Sequence, residues 1–207
     1  MKRWVFSKES VEFGRAVNLI DAIFGFSLTL LVTSLDVPPA AAWVSLSALM
    51  DTGLGEQLLA FVISFVVVVG FWLANHQVLA SFQALDGATV RVCIYLVGLV
   101  IFIPFATKAI SDPDPANHPL PTALYAGNVA AITLVTVALI LVGRARGLAD
   151  RKPPVPGLIA HSLVVAAVFL ISVPIAYRFG PDTAKWSWLS LVVLNPLLDF
   201  AVKRFAR

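Results

Sequence analysis

Cysteine is almost missing from this sequence, with Cys93 standing alone among 207 residues. A disulfide within one chain is therefore excluded, and no Cys/His cluster exists to hold a metal. Charge is scarce as well. Asp, Glu, Lys and Arg make up 13% of the residues, about half the roughly 25% usual in soluble domains. The chain also has no glycine-rich phosphate loop, no HExxH and no GxSxG segment, so the signatures of phosphoryl transfer, zinc hydrolysis and serine hydrolysis are missing. An enzyme is not expected, and no cofactor or metal is called for. Nor is there a TVGYG-type segment from which a filter of backbone carbonyls could be built.

What the chain has instead is apolar surface. Hydrophobic residues form 59% of it, and the mean hydropathy is +0.89. One water-soluble core could not hide so much, and the bilayer is the natural solvent. The net charge of +3 does not point to nucleic acid, because the basic residues sit between apolar runs rather than on one face. The N-terminal stretch Met1–Arg15 mixes Lys2, Arg3, Lys8, Glu9, Glu12 and Arg15 and shows no small-residue cleavage site. It is expected to remain attached ahead of the first span.

Apolar runs long enough to cross a membrane predict six transmembrane helices, at roughly 16–35, 57–82, 90–110, 121–142, 157–177 and 185–202. Helix breakers separate them: Val37-Pro38-Pro39, Asp86-Gly87, Asp112-Pro113-Asp114-Pro115, Arg151-Lys152-Pro153-Pro154 and Phe179-Gly180-Pro181-Asp182. Pro174 and Pro196 fall inside the last two runs, which membrane helices tolerate where neighbours satisfy the freed carbonyls. With this spacing, twelve of the fifteen Lys and Arg residues fall on one side, and only Lys108, Arg178 and Lys185 on the other. The positive-inside rule then places both termini in the cytoplasm. The outer loop Asp36–Glu56 lacks Lys and Arg but holds Trp43, Leu46 and Leu49. It reads either as a short interfacial helix or as packing at a helix mouth.

Polar residues inside apolar runs are costly and mark structural or functional pivots. The first run is the richest, with Arg15, Asn18 and Asp21 at its cytoplasmic end and Ser27, Thr29, Thr33 and Ser34 beyond. Arg15, Asn18 and Asp21 recur at spacing three, which brings neighbours onto one face. Trp72, Asn75 and His76 lie at similar depth on the antiparallel second run. Three readings stay open for this cluster: an interhelical hydrogen-bond network, an ion or proton relay through Asp21 or His76, and a solvated vestibule. Phe26, Leu30 and Thr33 recur at spacings of four and three, with Ile23, Ser27 and Ser34 on the neighbouring face. Such a stripe could line a pore whose apolar constrictions gate by dewetting, or it could face other helices or lipid. His161, Asp199, Asn128 and Asn195 read as capping, interfacial or interhelical contacts, and His118 as a loop residue.

The segment Arg15-Ala-Val-Asn-Leu-Ile-Asp21-Ala-Ile-Phe24, with Thr29-Leu30-Leu31-Val32 and a close at Val37-Pro38, resembles the first-helix signature of the transmembrane protein 175 family of potassium channels. Phe61-Val-Ile-Ser-Phe65, Phe71-Trp72 and Asn75-His76 are similar to that family's second helix, and Ile103-Pro104-Phe105-Ala106-Thr107 and Tyr125 also fit. The resemblance covers Arg15 to Asn128. One departure is that Leu19-Ile20 stands where the family has Phe-Ser.

The resemblance implies a homotetramer of six-helix subunits in a bacterial plasma membrane, with the first helix at the centre and K+ as the permeant ion. By the same resemblance the narrowest ring falls on Phe26, with further rings at Leu30 and Thr33, and Ile23 and Thr29 belong to the pore-lining set. Arg15, Asp21, Trp72, Asn75 and His76 would hold the pore helix in place. The partners implied are the lipid bilayer, three further copies of the chain and monovalent cations. Two rival functions remain in the sequence: a proton-coupled secondary transporter using Asp21 and His76, and a non-conducting membrane scaffold.

Overall fold

A computed structural model describes residues 4–149 and 157–205, with side chains left out at Asp199 and after Phe200. The linker Arg151-Lys152-Pro153-Pro154, the residues Lys2, Arg3 and Arg207, and the side chains of Asp199, Lys203 and Arg204 lie outside that set. A short strand β1 (Val5–Ser7) leads to α1 (Val11–Leu30). Ser10 starts the helix, its hydroxyl accepting from the Phe13 N–H at 3.2 Å. Cap chemistry rather than hydropathy thus sets the start, several residues ahead of the predicted Ala16. A 3-10 turn, Leu31–Ser34, extends the helix to the double proline.

The loop after α1 holds a 3-10 turn (Ala40–Val44) and a short α2 (Leu46–Met50) capped by Ser45. Trp43 is exposed there, and its indole N–H donates to the Pro38 carbonyl at 3.1 Å. The long α3 (Leu54–Ala80) begins after Gly53, whose φ of 80° is a conformation glycine adopts without strain. Strand β2 (Ala84–Asp86) follows.

The third apolar run forms two helices, α4 (Gly87–Ile101) and α5 (Ile103–Ser111), which together are long and apolar enough for one span. Pro104 has no N–H to give the preceding turn, so the ladder breaks there. At that break the Asn128 side-chain amide donates to the Leu99 carbonyl at 3.0 Å, which accounts for this in-span asparagine. A short α6 (Pro113–Ala116) leads to α7 (Pro119–Ala145), which His118 precedes at the cap position. Then come α8 (Leu158–Phe179), α9 (Pro181–Ser187) and α10 (Ser190–Phe205). In the first turn of α8 the His161 ring lies 3.1 Å from the Gly157 carbonyl.

Among the described residues, five segments are long and apolar enough to cross a membrane: Val11–Ser34, Leu54–Ala80, Gly87–Ser111, Pro119–Ala145 and Leu158–Phe179. The sixth predicted run differs. It is split between α9 and α10, and α10 has 16 residues with Pro196 inside. At 1.5 Å per residue α10 spans about 24 Å, short of a hydrocarbon core of about 30 Å.

The purely helical expectation misses one feature. Strand β1 pairs antiparallel with β2, matching Val5 to Asp86 and Ser7 to Ala84. A bridge from Phe82 to Ala149 joins the same end. Lys8, Arg91, Arg144 and Arg146 therefore share one end of the molecule, as the charge count requires. The core is the contact of α7 with α8, α4 and α5, on which α1 and α3 pack. Tyr125, Phe169 and Trp188 fill one end of it with ring centroids 5.0 to 6.3 Å apart. The buried Tyr125 hydroxyl is paired with Ser64 at 3.0 Å, and Thr107 donates to that serine at 2.8 Å.

Candidate functional site

Helix α1 is buried on one side only. Phe13, Ile20, Phe24 and Ser27 pack inward, followed by Leu31 and Ser34 in the 3-10 turn. The opposite stripe is bare: Arg15, Leu19, Ala22, Phe26, Leu30 and Thr33 all stand exposed, Phe26 at 69% and Leu30 at 47%. These positions recur at three and four residues, so they form one line along the helix. Thr29 flanks the line and is exposed too. Ile23 behaves differently and packs half-buried against the core. At about 100° per residue it sits some 60° from Phe26, on the side of the buried Ser27.

The hydroxyls of this helix satisfy themselves. Thr29 donates to the Phe26 carbonyl at 2.8 Å, and Thr33 to the Leu30 carbonyl at 2.7 Å. Ser27 and Ser34 do the same on the buried side. The exposed stripe therefore carries no orphaned hydroxyl. Beyond Arg15 it is an apolar line edged by methyls and saturated hydroxyls. Beside it, a Cβ added at Gly25 would meet nothing within 4 Å, so another helix has room to approach.

The polar cluster at the sheet end is only partly joined. The Trp72 indole N–H donates to Asp21 Oδ1 at 3.0 Å, tying α3 to α1. The His76 ring lies against Trp72, centroids 5.9 Å apart, and makes no hydrogen bond among the described residues. Arg15 is exposed and likewise unpaired among the described residues. Asn75 is fully buried, and both of its side-chain polar atoms lack a partner. Sequence spacing groups five residues here, and the structure bonds two of them.

At the other end of α1 lies a set of contacts that the sequence reading did not single out. The Asp36 N–H donates to Gln57 Oε1 at 2.8 Å, and Gln57 Nε2 donates back to the carboxylate at 3.3 Å. Lys108 of α5 makes an ion pair with the same carboxylate and lies 3.8 Å from Asp112. Lys108 is one of the three basic residues on the sparsely charged side, and that rarity was the available signal.

The class defined by these features is a multi-pass helical membrane protein whose first helix presents an uncovered apolar stripe. Residues 15–104 match the family model described as endosomal/lysosomal potassium channel TMEM175. A potassium channel from Chryseobacterium sp. is 25% identical over 53% of this chain and 54% of its own length. Potassium channels from Streptomyces collinus and Chamaesiphon minutus are 27% and 28% identical over 62% and 61% of this chain. The chain spans 63% and 64% of their lengths, so it covers less than two thirds of each of these curated relatives. The crystal structure of a lysosomal potassium-selective channel TMEM175 homolog from Chamaesiphon minutus has the same fold. The TM-score is 0.69 at 22% identity, covering 93% of this chain and 99% of that one. The resemblance read from the first spans is therefore borne out as a likeness: residues 15–104 match the TMEM175 family model, and the fold is that of a bacterial TMEM175 homolog. The relatives are channels, not enzymes.

Proposed function

We propose that the chain is one subunit of a homotetrameric potassium-permeable channel in a bacterial plasma membrane, with four copies of α1 around the central path. The observation that carries this is the bare stripe on α1, which a second copy can cover or a pore can hydrate. Phe26 forms the narrowest ring, with Leu30 and Thr33 beyond it. The path is then controlled by apolar side chains rather than by a cage of carbonyl oxygens, and selectivity is modest. Leu19, in place of the family's phenylalanine, adds an aliphatic position to the same line.

In this reading α9 and α10 together form the sixth crossing, and both termini are cytoplasmic. Asp21 and Trp72 hold the pore helix to α3, while Asp36, Gln57 and Lys108 fix its outer end. The direct hydrogen bond made by Asp21 goes to Trp72 rather than to His76, so no observation favours the proton-coupled transporter.

The test is purified protein in liposomes under opposed K+ and Na+ gradients, followed by single-channel recording. Resolved unitary currents carried by K+ are expected, and Phe26→Ala raises conductance or weakens ion preference. Unchanged currents and preference in that variant would remove Phe26 from the constriction, and no flux at all would remove the channel.

A further inference from the structure

Away from α1, a crevice of about 510 Å³ opens between the first turns of α3 and helix α9, with the end of α5 and helix α6 at its base. That volume lies within the roughly 300–1,000 Å³ of small-ligand sites. Its walls are apolar: Leu59, Ala60 and Ile63 from α3, Ile110 from α5, and Trp188 and Leu189 at and just past the end of α9. Trp188 is a fixed wall, since its indole N–H donates to Ser172 Oγ at 2.9 Å and its ring stacks on Tyr125. Trp186 is a free one, 66% exposed on the rim.

Three charged residues line the crevice, and they do not balance. Lys185 Nζ is held by Asp182 at 3.1 Å, which neutralises both. Glu56 is exposed and has no hydrogen bond or ion pair among the described residues. Glu56, Ala60 and Ile63 are spaced four and three apart on α3, so the carboxylate stands directly over the apolar wall. The crevice thus offers an apolar cleft, one free negative charge at its mouth and one accessible aromatic face.

We propose that this crevice binds an amphiphilic organic cation, its ammonium group set against Glu56 and the Trp186 ring and its apolar body between α3 and α9. An indole face attracts an ammonium group, and the carboxylate adds Coulombic attraction that an anion would feel as repulsion. The site is separate from the α1 stripe and stands whether or not the chain conducts.

The experiment is calorimetric titration of the full-length protein in nanodiscs with hexyltrimethylammonium, alongside heptanoate of opposite charge. Saturable binding of the cation at one site per chain is expected, weakening as salt rises. Glu56→Gln should lower affinity by about tenfold, an effect of one lost charge contact of about 1.4 kcal/mol, and Trp186→Leu should lower it severalfold. Both residues are exposed, and gel filtration checks that the variants remain folded. Three outcomes overturn the proposal: equal affinity in Glu56→Gln, saturable heptanoate binding of the same strength, or wild-type binding indifferent to salt. A co-purified phospholipid that the cation fails to displace, seen by native mass spectrometry, would also overturn it.

Discussion

Asp86 ties strand β2 to the start of α4 and to the end of α7. It is fully buried, and its carboxylate caps α4 by accepting from the Ala88 and Thr89 N–H groups at 3.1 Å. The Thr89 hydroxyl accepts from the Asp86 N–H in return, completing a capping box. Arg146 from the far end of α7 reaches the other carboxylate oxygen at 2.6 Å. In the sequence Asp86 reads only as a breaker beside Gly87, because nothing in local spacing announces a partner sixty residues away. Removing one N-cap costs about 1 kcal/mol, and here the ion pair is lost too. Asp86→Ala is therefore expected to lower the thermal melting temperature in detergent by more than an ordinary cap deletion, whereas Glu9→Ala, at an exposed position, leaves it unchanged.

The same lesson applies to Asp21, Asn75 and His76. Spacing places them at one depth but does not set their direction about the helix axis. Depth was legible, and bonding was not.

At the scale of elements, the first five apolar runs were readable because length and breakers define them without tertiary help. Their ends were not, since Ser10 and Asp86 start helices through caps that hydropathy ignores. The two strands were invisible because three residues give no period to detect. The last run was read as one helix where there are two: the break between α9 and α10 divides an apolar stretch that looks continuous. Gly143 shows how tightly the strands and helices meet. A Cβ there would lie 2.3 Å from the tip of the Phe82 ring, which is fully buried. Gly143→Ala is expected to destabilise by about 1–3 kcal/mol through overpacking. Adding Phe82→Leu should recover part of the loss, and a double-mutant cycle of melting temperatures measures the coupling.

For the whole molecule, the lone cysteine is an experimental convenience. Cys93→Ala gives a cysteine-free background in one step. A cysteine placed at exposed Ala22 is expected to cross-link copies of the chain on oxidation in native membranes. One placed at buried Ile20 should not. Absence of cross-linking at Ala22 and Leu19 alike would argue against a central α1. The proposed sixth crossing has its own test. A reporter fused after Arg207 and active only in the cytoplasm should be active, and an inactive fusion would leave five crossings.

The pairing of β1 with β2 has a consequence for how the chain is made. The segment ahead of α1 is clamped by residues 84–86, which emerge from the ribosome only after α3 has been synthesised. The first helix is therefore made with its N-terminal end unfastened. It is fastened only after two of the long apolar helices have been made. The Phe82 to Ala149 bridge closes later still, after two more long apolar segments. Until then α1, with its bare stripe, is held by neither the strand pair nor the bridge. If copies of the chain pair through that stripe, as proposed, pairing during translation would begin before the strand pair locks the helix.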